Sequence, residues 1–157
     1  MAKVKVELRR LQKRDRSLLY YFRNLEEIIE NSLSQRKVGW NEHQRWFSQV
    51  ALSGYCLAFV IFADGVPAGH LRVEQDRKYF ILGELSMYLL RKYRNEGVGS
   101  LALEQGVDMV KWEWPFLKSI HIRTVSSTAL RFFEKNKFEV SRRGAKEECW
   151  RAIRQVD

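Results

Sequence analysis

Residues 86–100 read Ser86-Met87-Tyr88-Leu89-Leu90-Arg91-Lys92-Tyr93-Arg94-Asn95-Glu96-Gly97-Val98-Gly99-Ser100, and their types suit the binding of an anion by the main chain. An apolar run enters a turn bearing Gly97 and Gly99 and leaves it as an apolar helix. The first N–H groups of a helix have no intrahelical partner, and the helix dipole favours negative charge beside them. Glycines let a pyrophosphate approach that backbone closely. Arg91, Lys92 and Arg94 add positive charge at the same place. The spacing Arg94-x-x-Gly97-x-Gly99 is a weak signal alone; its position between an apolar strand and an apolar helix makes it a candidate cofactor turn.

On the strand leading into this turn, Glu84, Ser86 and Tyr88 share one face at period two. A carboxylate on such a face suits general base chemistry, taking a proton from a bound group or from water. Glu84 is the candidate base, directly or through water, with a solvated or ion-paired strand carboxylate as the other reading. His43, His70 and His121 titrate in the useful range, but a histidine on a strand or helix is more often packed or exposed than catalytic. Cys56 and Cys149 sit in apolar strand-like runs without CxxC or Cys/His ligand spacing, so they read as buried free thiols and no metal is expected.

The elements that must position these groups follow from periodicity. Residues 3–8 alternate as a strand, and Asp15 caps an amphipathic helix carrying Leu18, Leu19, Phe22, Leu25 and Ile29. Asn41 caps a second helix that gathers His43, Trp46, Phe47 and Val50 on one face. Residues 55–62, 69–75 and 78–89 form a meander, with Asp64-Gly65 and Pro67 at its first turn. A helix over 97–112, a strand over 118–124 and a helix from Ser126 to about 136 come next. Strands over 138–141 and 148–153, joined through Arg142-Arg143-Gly144-Ala145, close the chain. The order is β-α-α-β-β-β-α-β-α-β-β: an α/β (α+β) fold with a mixed, mostly antiparallel sheet flanked by helices. Trp46, Phe47, Trp112 and Trp114 are expected in its core.

The 157 residues form one domain, 1–157, without repeat or linker. The hydrophobic fraction of 45% with only two prolines excludes a disordered or collagen-like polymer. The longest apolar run, 55–63, falls far short of the roughly 20 residues a membrane span needs. The start Met1-Ala2-Lys3-Val4-Lys5 lacks the apolar region of a signal peptide, so a soluble, cytoplasmic protein with no membrane partner is predicted. The net charge of +9 favours anionic partners without naming one.

On the turn described above and on Ser126-Ser127-Thr128-Ala129-Leu130-Arg131-Phe132-Phe133-Glu134-Lys135-Asn136-Lys137-Phe138, the chain resembles the GNAT superfamily of acyl-CoA N-acyltransferases over nearly its whole length. The second segment looks like that superfamily's "N-x-x-A-x-x-x-Y-E-K-x-G-F". The resemblance implies acetyl-CoA as cosubstrate, with the backbone of Met87, Tyr88 and Leu89 pairing with the pantetheine arm and acetyl carbonyl. It implies that Arg94, Asn95, Glu96, Gly97, Val98, Gly99 and Ser100 wrap the pyrophosphate, and that Ser126 and Phe133 stand where two further cofactor contacts are usual. Three positions depart from the pattern: Ser126 replaces Asn, Lys137 replaces Gly, and Phe133 replaces the Tyr that often protonates the departing thiolate. A Phe has no proton to give, so the acid is Tyr88, water, or not needed; a thiolate is a fair leaving group without one.

The start Arg23-Asn24 and the helix Glu42-x-His43-x-x-Trp46-Phe47 resemble bacterial acetyltransferases of nucleotide-linked amino sugars, including those of the pseudaminic-acid pathway. That implies an acceptor site at Arg23, Trp40, His43 and Arg45; Arg23, Arg36 and Arg45 suit a diphosphate and Trp40 a base or sugar face. A capped amphipathic helix with solvated arginines is the plainer reading of the same residues. The expected function is acetyl transfer from acetyl-CoA to a primary amine of a nucleotide-linked amino sugar. One alternative is a protein N-terminus or lysine as acceptor, which the positive charge mildly disfavours. Another is a non-catalytic CoA- or nucleic-acid-binding module; scattered Lys/Arg without a nucleic-acid motif speak against nucleic acid. Sheet edges make a homodimer the default expectation.

Overall fold

A computed structural model describes residues 3–141 and 149–157. Seven strands form one sheet in the order β1-β2-β3-β4-β5-β7-β6: β1 Val6–Arg10, β2 Cys56–Ala63, β3 Val66–Gln75, β4 Leu82–Leu89, β5 Ser119–Thr124, β6 Glu139–Ser141 and β7 Trp150–Gln155. Every pairing is antiparallel except β4 with β5. Between β1 and β2 lie α1 Arg16–Arg23, α2 Glu26–Ile29 and α3 Trp40–Trp46; α4 Val98–Glu113 joins β4 to β5 and α5 Ser127–Lys135 joins β5 to β6.

Alternation along the strands makes two cores. Leu57, Phe59 and Ile61 of β2, with Leu71, Val73, Leu85, Ile120 and Ile122, pack on one face against Ala102, Leu103, Val107 and Val110 of α4 and Leu130 and Phe133 of α5. Cys56, Ala58 and Val60 point the other way, onto Leu19 and Phe22 of α1 and onto Phe47 and Ala51, which continue α3 as a wide π-helical turn. The β2–β3 hairpin closes through Asp64 (φ 48°) and Gly65 (φ 77°), the left-handed pair of a two-residue turn. Pro67 lies within β3, where the register shifts between Ile61 and Phe62.

Several details differ from the sequence reading, each for a local reason. The first helix breaks after Arg23 because the Asn24 amide donates to the carbonyls of Tyr20 (3.1 Å) and Val38 (3.0 Å) while its oxygen accepts from Val38 N (2.7 Å). Asp15 is buried and does not cap α1. Its carboxylate accepts from Gln12 N (2.7 Å) and from Arg9 in bidentate fashion (2.8 and 3.0 Å). α3 starts at Trp40 with Gly39 as its N-cap, and not at Asn41. β4 starts at Leu82 because Asp76 accepts from the amides of Lys78 and Tyr79 and holds that segment in a turn. Trp112 is 84% exposed and so lies outside the core, whereas Trp114 is buried. Cys56 is a buried free thiol, pushed up to about 12 by burial, while Cys149 is only half-buried. The Arg142-Arg143-Gly144-Ala145 connection lies outside the described residues. Among those residues no helix is long and apolar enough to cross a membrane, and no cluster of three His, Cys, Asp or Glu could hold a metal.

Candidate active site

The parallel pair is where the sheet opens. β4 pairs with β3 as far as Leu89, but β5 opposes it only at Leu82, Gly83 and Glu84. Asp76 N donates to the Leu82 carbonyl and Leu90 N to the Ala68 carbonyl, so even-numbered residues of β4 turn toward β3. Met87 and Leu89 therefore turn their amides into the gap beyond Glu84. The Leu89 carbonyl there accepts from Arg94 Nε at 2.9 Å.

The turn after β4 continues that backbone surface. Asn95 (φ 63°) and Gly97 (φ 81°) take left-handed conformations that swing the chain into α4. Leu101 N is bonded to the Gly97 carbonyl, and no side chain caps the helix, so the amides of Val98, Gly99 and Ser100 start it without intrahelical partners. Space in front of Gly97 is open: a Cβ placed there meets nothing within 4 Å. Gly99 instead lies close to Phe132 and Leu89, where a Cβ would come within 3.2 Å of the ring.

The other face of the open strand holds a cavity of about 210 Å³, lined by Leu19, Arg23, Val38, Glu42, His43, Trp46, His70, Arg72 and Tyr88. Its walls come from α1, the loop after α2, α3, β3 and β4. His70 and Arg72 point into this side because β3 alternates, placing them opposite Tyr88 and Ser86. Tyr88 packs between Phe22 (6.5 Å between ring centroids) and His70 (5.7 Å). Burial raises the Tyr88 phenol well above its ordinary range, against the pull of Arg72 and Arg23. Burial also lowers both lining histidines: His43, although its ring donates to the Arg16 carbonyl (2.8 Å), and His70, to about 3. Both are neutral at ordinary pH. Arg72 lies over Trp46 (5.0 Å) and bonds Glu74 (3.1 Å); Arg36 holds Glu42 bidentately at 2.8 and 3.1 Å.

The residues singled out from sequence fall into three groups. Met87 and Leu89 stand on β4 and Gly97, Val98, Gly99 and Ser100 at the start of α4, where Leu89 lies against Gly99; Asn95 and the exposed Glu96 lie in the turn between them. Arg94 joins the Leu89 carbonyl in the gap beyond Glu84 to the Glu27 carbonyl, 2.9 Å from each. Arg23, His43 and Tyr88 meet in the cavity, where Arg23 also holds Ser34 (2.9 Å) and the Arg36 carbonyl (3.2 Å). The rest stand apart. Glu84 is bound to Arg123 (2.7 Å) and does not line the cavity. Trp40 stands edge-on to Tyr20 (5.0 Å) and Arg45 is exposed, both outside the cavity lining. Ser126 caps α5, accepting from Ala129 N at 3.2 Å. Phe133 is 6% exposed and packs between Phe132 and Phe138. Arg72 was not anticipated, although a basic residue two positions from His70 on an otherwise apolar strand carries the period-two signal that would have found it.

The family model described as "Acetyltransferase (GNAT) family" matches residues 19–138. No curated protein matches the sequence. Solved structures do. A GNAT-family acetyltransferase from Streptococcus pneumoniae superposes with a TM-score of 0.77 at 19% identity, covering 98% of this chain and 100% of that one. The spermidine N-acetyltransferase from Vibrio cholerae, in complex with CoA and spermine, gives 0.80 at 12% identity over 96% and 95%. The aminoglycoside acetyltransferase AAC(6')-Ib, in complex with coenzyme A, gives 0.78 at 16% over 96% and 95%. At these identities the likeness is one of fold.

Proposed function

This chain belongs to the acetyltransferase (GNAT) family and is an acetyl-CoA-dependent N-acetyltransferase; we propose that its acceptor is the primary amine of a nucleotide-linked amino sugar. The observation that carries the reading is the charge of the cavity beside the open strand. Two arginines line it, both lining histidines are neutral, and its one carboxylate, Glu42, is already bound by Arg36. Such a lining favours an acceptor that brings its own negative charge, as a diphosphate does. It disfavours polycations such as the spermine bound by the Vibrio cholerae protein.

The residues present suit acetyl-CoA. The uncapped amides of Val98, Gly99 and Ser100, with open space at Gly97, fit a phosphate group. The outward amides of Met87 and Leu89 fit an amide-bearing chain laid beside β4. When bound, acetyl-CoA supplies an activated acyl group on a thiol leaving group.

The remaining roles belong to side chains of this protein and to water. Arg23 and Arg72 lower the basicity of an amine held between them, which favours the neutral, nucleophilic form. Tyr88 stays protonated and offers its O–H to negative charge at the leaving group, the role that Phe133 lacks the hydroxyl to fill. Glu84, tied to Arg123 outside the cavity, is not placed to act as the base, and water takes up the amine's proton.

Release of coenzyme A thiol from acetyl-CoA tests the reading, with UDP-linked amino sugars, peptides and spermidine compared side by side. Turnover of the sugars is expected. Turnover of peptides alone moves the acceptor to a protein N-terminus or lysine, and turnover of spermidine alone rejects the charge argument.

A further inference from the structure

His70 is 2% exposed and lines the acceptor cavity from β3, directly across the strand pair from Tyr88. Its Nδ1 lies 2.9 Å from the Phe59 carbonyl. A carbonyl only accepts, so Nδ1 carries the proton and Nε2 presents a bare lone pair. That nitrogen is buried and has no hydrogen-bond partner. An unmet buried acceptor is destabilising, so its persistence in a cavity wall signals a donor that arrives with a ligand. His43 differs: its Nε2–H is already committed to the Arg16 carbonyl.

The rest of the lining sharpens what that donor is. Arg23, Arg72 and Tyr88 all offer hydrogens, and the Glu42 carboxylate is held by Arg36. An amine entering this cavity has hydrogens of its own to place and meets few acceptors.

We propose that Nε2 of His70 receives a hydrogen bond from the acceptor amine and thereby turns the amine's lone pair toward the open end of β4. Phe59 fixes the imidazole through Nδ1; Nε2 holds one N–H of the amine; the nitrogen lone pair then faces away from β3, toward the side where the Met87 and Leu89 amides emerge. His70 is thus a positioning residue that exchanges no proton. The inference rests on the reading of this cavity as the acceptor site, and it concerns the amine whatever molecule carries it.

The test uses the full chain with His70→Asn and His70→Gln. Asn places an N–H where Nδ1–H stands and keeps the Phe59 bond; Gln places an amide where Nε2 stands. For any amine that turns over, H70N should raise the acceptor KM about tenfold with the acetyl-CoA KM unmoved, and H70Q should recover part of the loss. Equal acceptor KM in H70N and wild type overturns the proposal, as does an equal rise of both KM values, which marks a purely structural role.

A spectroscopic arm decides the matter even where nothing turns over. In CoA-bound protein labelled with 15N-histidine, the His70 Nε2 resonance should move upfield on adding UDP-linked amino sugars, 2-aminoethyl phosphate or spermidine. It should stay in place with counterparts of the first two that carry hydrogen in place of the amine and so have no donor there. A resonance that no amine moves, or that the compounds without the donor move equally, overturns the proposal. A resonance moved by simple amines while the sugars neither bind nor react rejects the sugar acceptor and leaves the His70 assignment standing.

Discussion

The two ends of the site are built on different principles. On the proposed cofactor side the chemistry is main chain: the amides of Met87, Leu89, Val98, Gly99 and Ser100, shaped by a break in strand pairing and by left-handed Asn95 and Gly97. On the proposed acceptor side it is side chains, drawn from α1, α3, β3, β4 and the loop carrying Val38. A backbone site is encoded in one contiguous stretch. It tolerates any residue that keeps the turn, so its binding properties are shared across a family. A side-chain site is assembled from distant stretches and changes with each substitution, so the acceptor is where such proteins diverge.

β4 belongs to both sites, and Gly69 is the position that would break both at once. A Cβ at Gly69 would stand 2.1 Å from the Tyr88 carbonyl oxygen and 3.1 Å from Leu89 Cα, so β4 must move to admit it. Gly69→Ala should cost about 3 kcal/mol in urea unfolding and raise the KM of acetyl-CoA and of acceptor together. Unchanged stability with only one KM altered would show that the two sites do not share this strand.

Tyr88→Phe comes next in size. It keeps the ring packed against Phe22 and His70 and removes only the donor, so kcat should fall about a hundredfold with both KM values nearly constant. A kcat within twofold of wild type would return the general-acid role to water.

A matched pair of variants then separates the two sides. Gly97→Ala forces an L side chain into a φ of 81°, a strain of about 1–2 kcal/mol confined to the cofactor turn. Arg72→Gln removes a cation from the acceptor cavity. Each should raise one KM about tenfold, acetyl-CoA for the first and the anionic acceptor for the second. Crossed effects would mean that the sites are coupled through β4 more tightly than their chemistry suggests.

This contrast also explains what could be read from the sequence. The order of elements along the chain, α4 and the glycine turn were legible because periodicity and main-chain geometry are local. The acceptor helices were legible as helices but not in where they start and stop. That α1 stops at Arg23 depends on Asn24 reaching Val38, fourteen residues away. Glu84 looked like a base because it shares a strand face with Tyr88, but Arg123, two residues beyond the His121 that opposes it on β5, holds it to one side. Period two gives the face and not the position along it. His70 and His43 were indistinguishable as letters; the difference is which nitrogen a carbonyl had already taken.

The smallest effect is expected in the pH dependence of stability, and it too sets one region against another. His70 falls from 6.5 to about 3 on folding because burial disfavours its charged form; His43 and His121 shift the same way for the same reason. A depressed histidine leaves the unfolded chain binding more protons below 6.5, so its contribution is complete above that pH and is lost progressively toward 3. Two carboxylates outside the acceptor cavity act lower. Hydrogen bonds from Arg154 lower Glu104, and those from Arg9 and Gln12 lower Asp15 although burial opposes them. They give up stability only as pH falls below their ordinary 4.5 and 3.8. Between 6.5 and 4.5, then, acid destabilisation belongs to the histidines, with His70 the largest share. Urea unfolding of H70N should show a visibly shallower loss than wild type across that interval, with the difference continuing down to about pH 3; parallel curves would mean that His70 is not neutral in the folded protein. Since its charge does not change near neutrality, the activity profile there must be set by other groups, with the acceptor amine the first to examine.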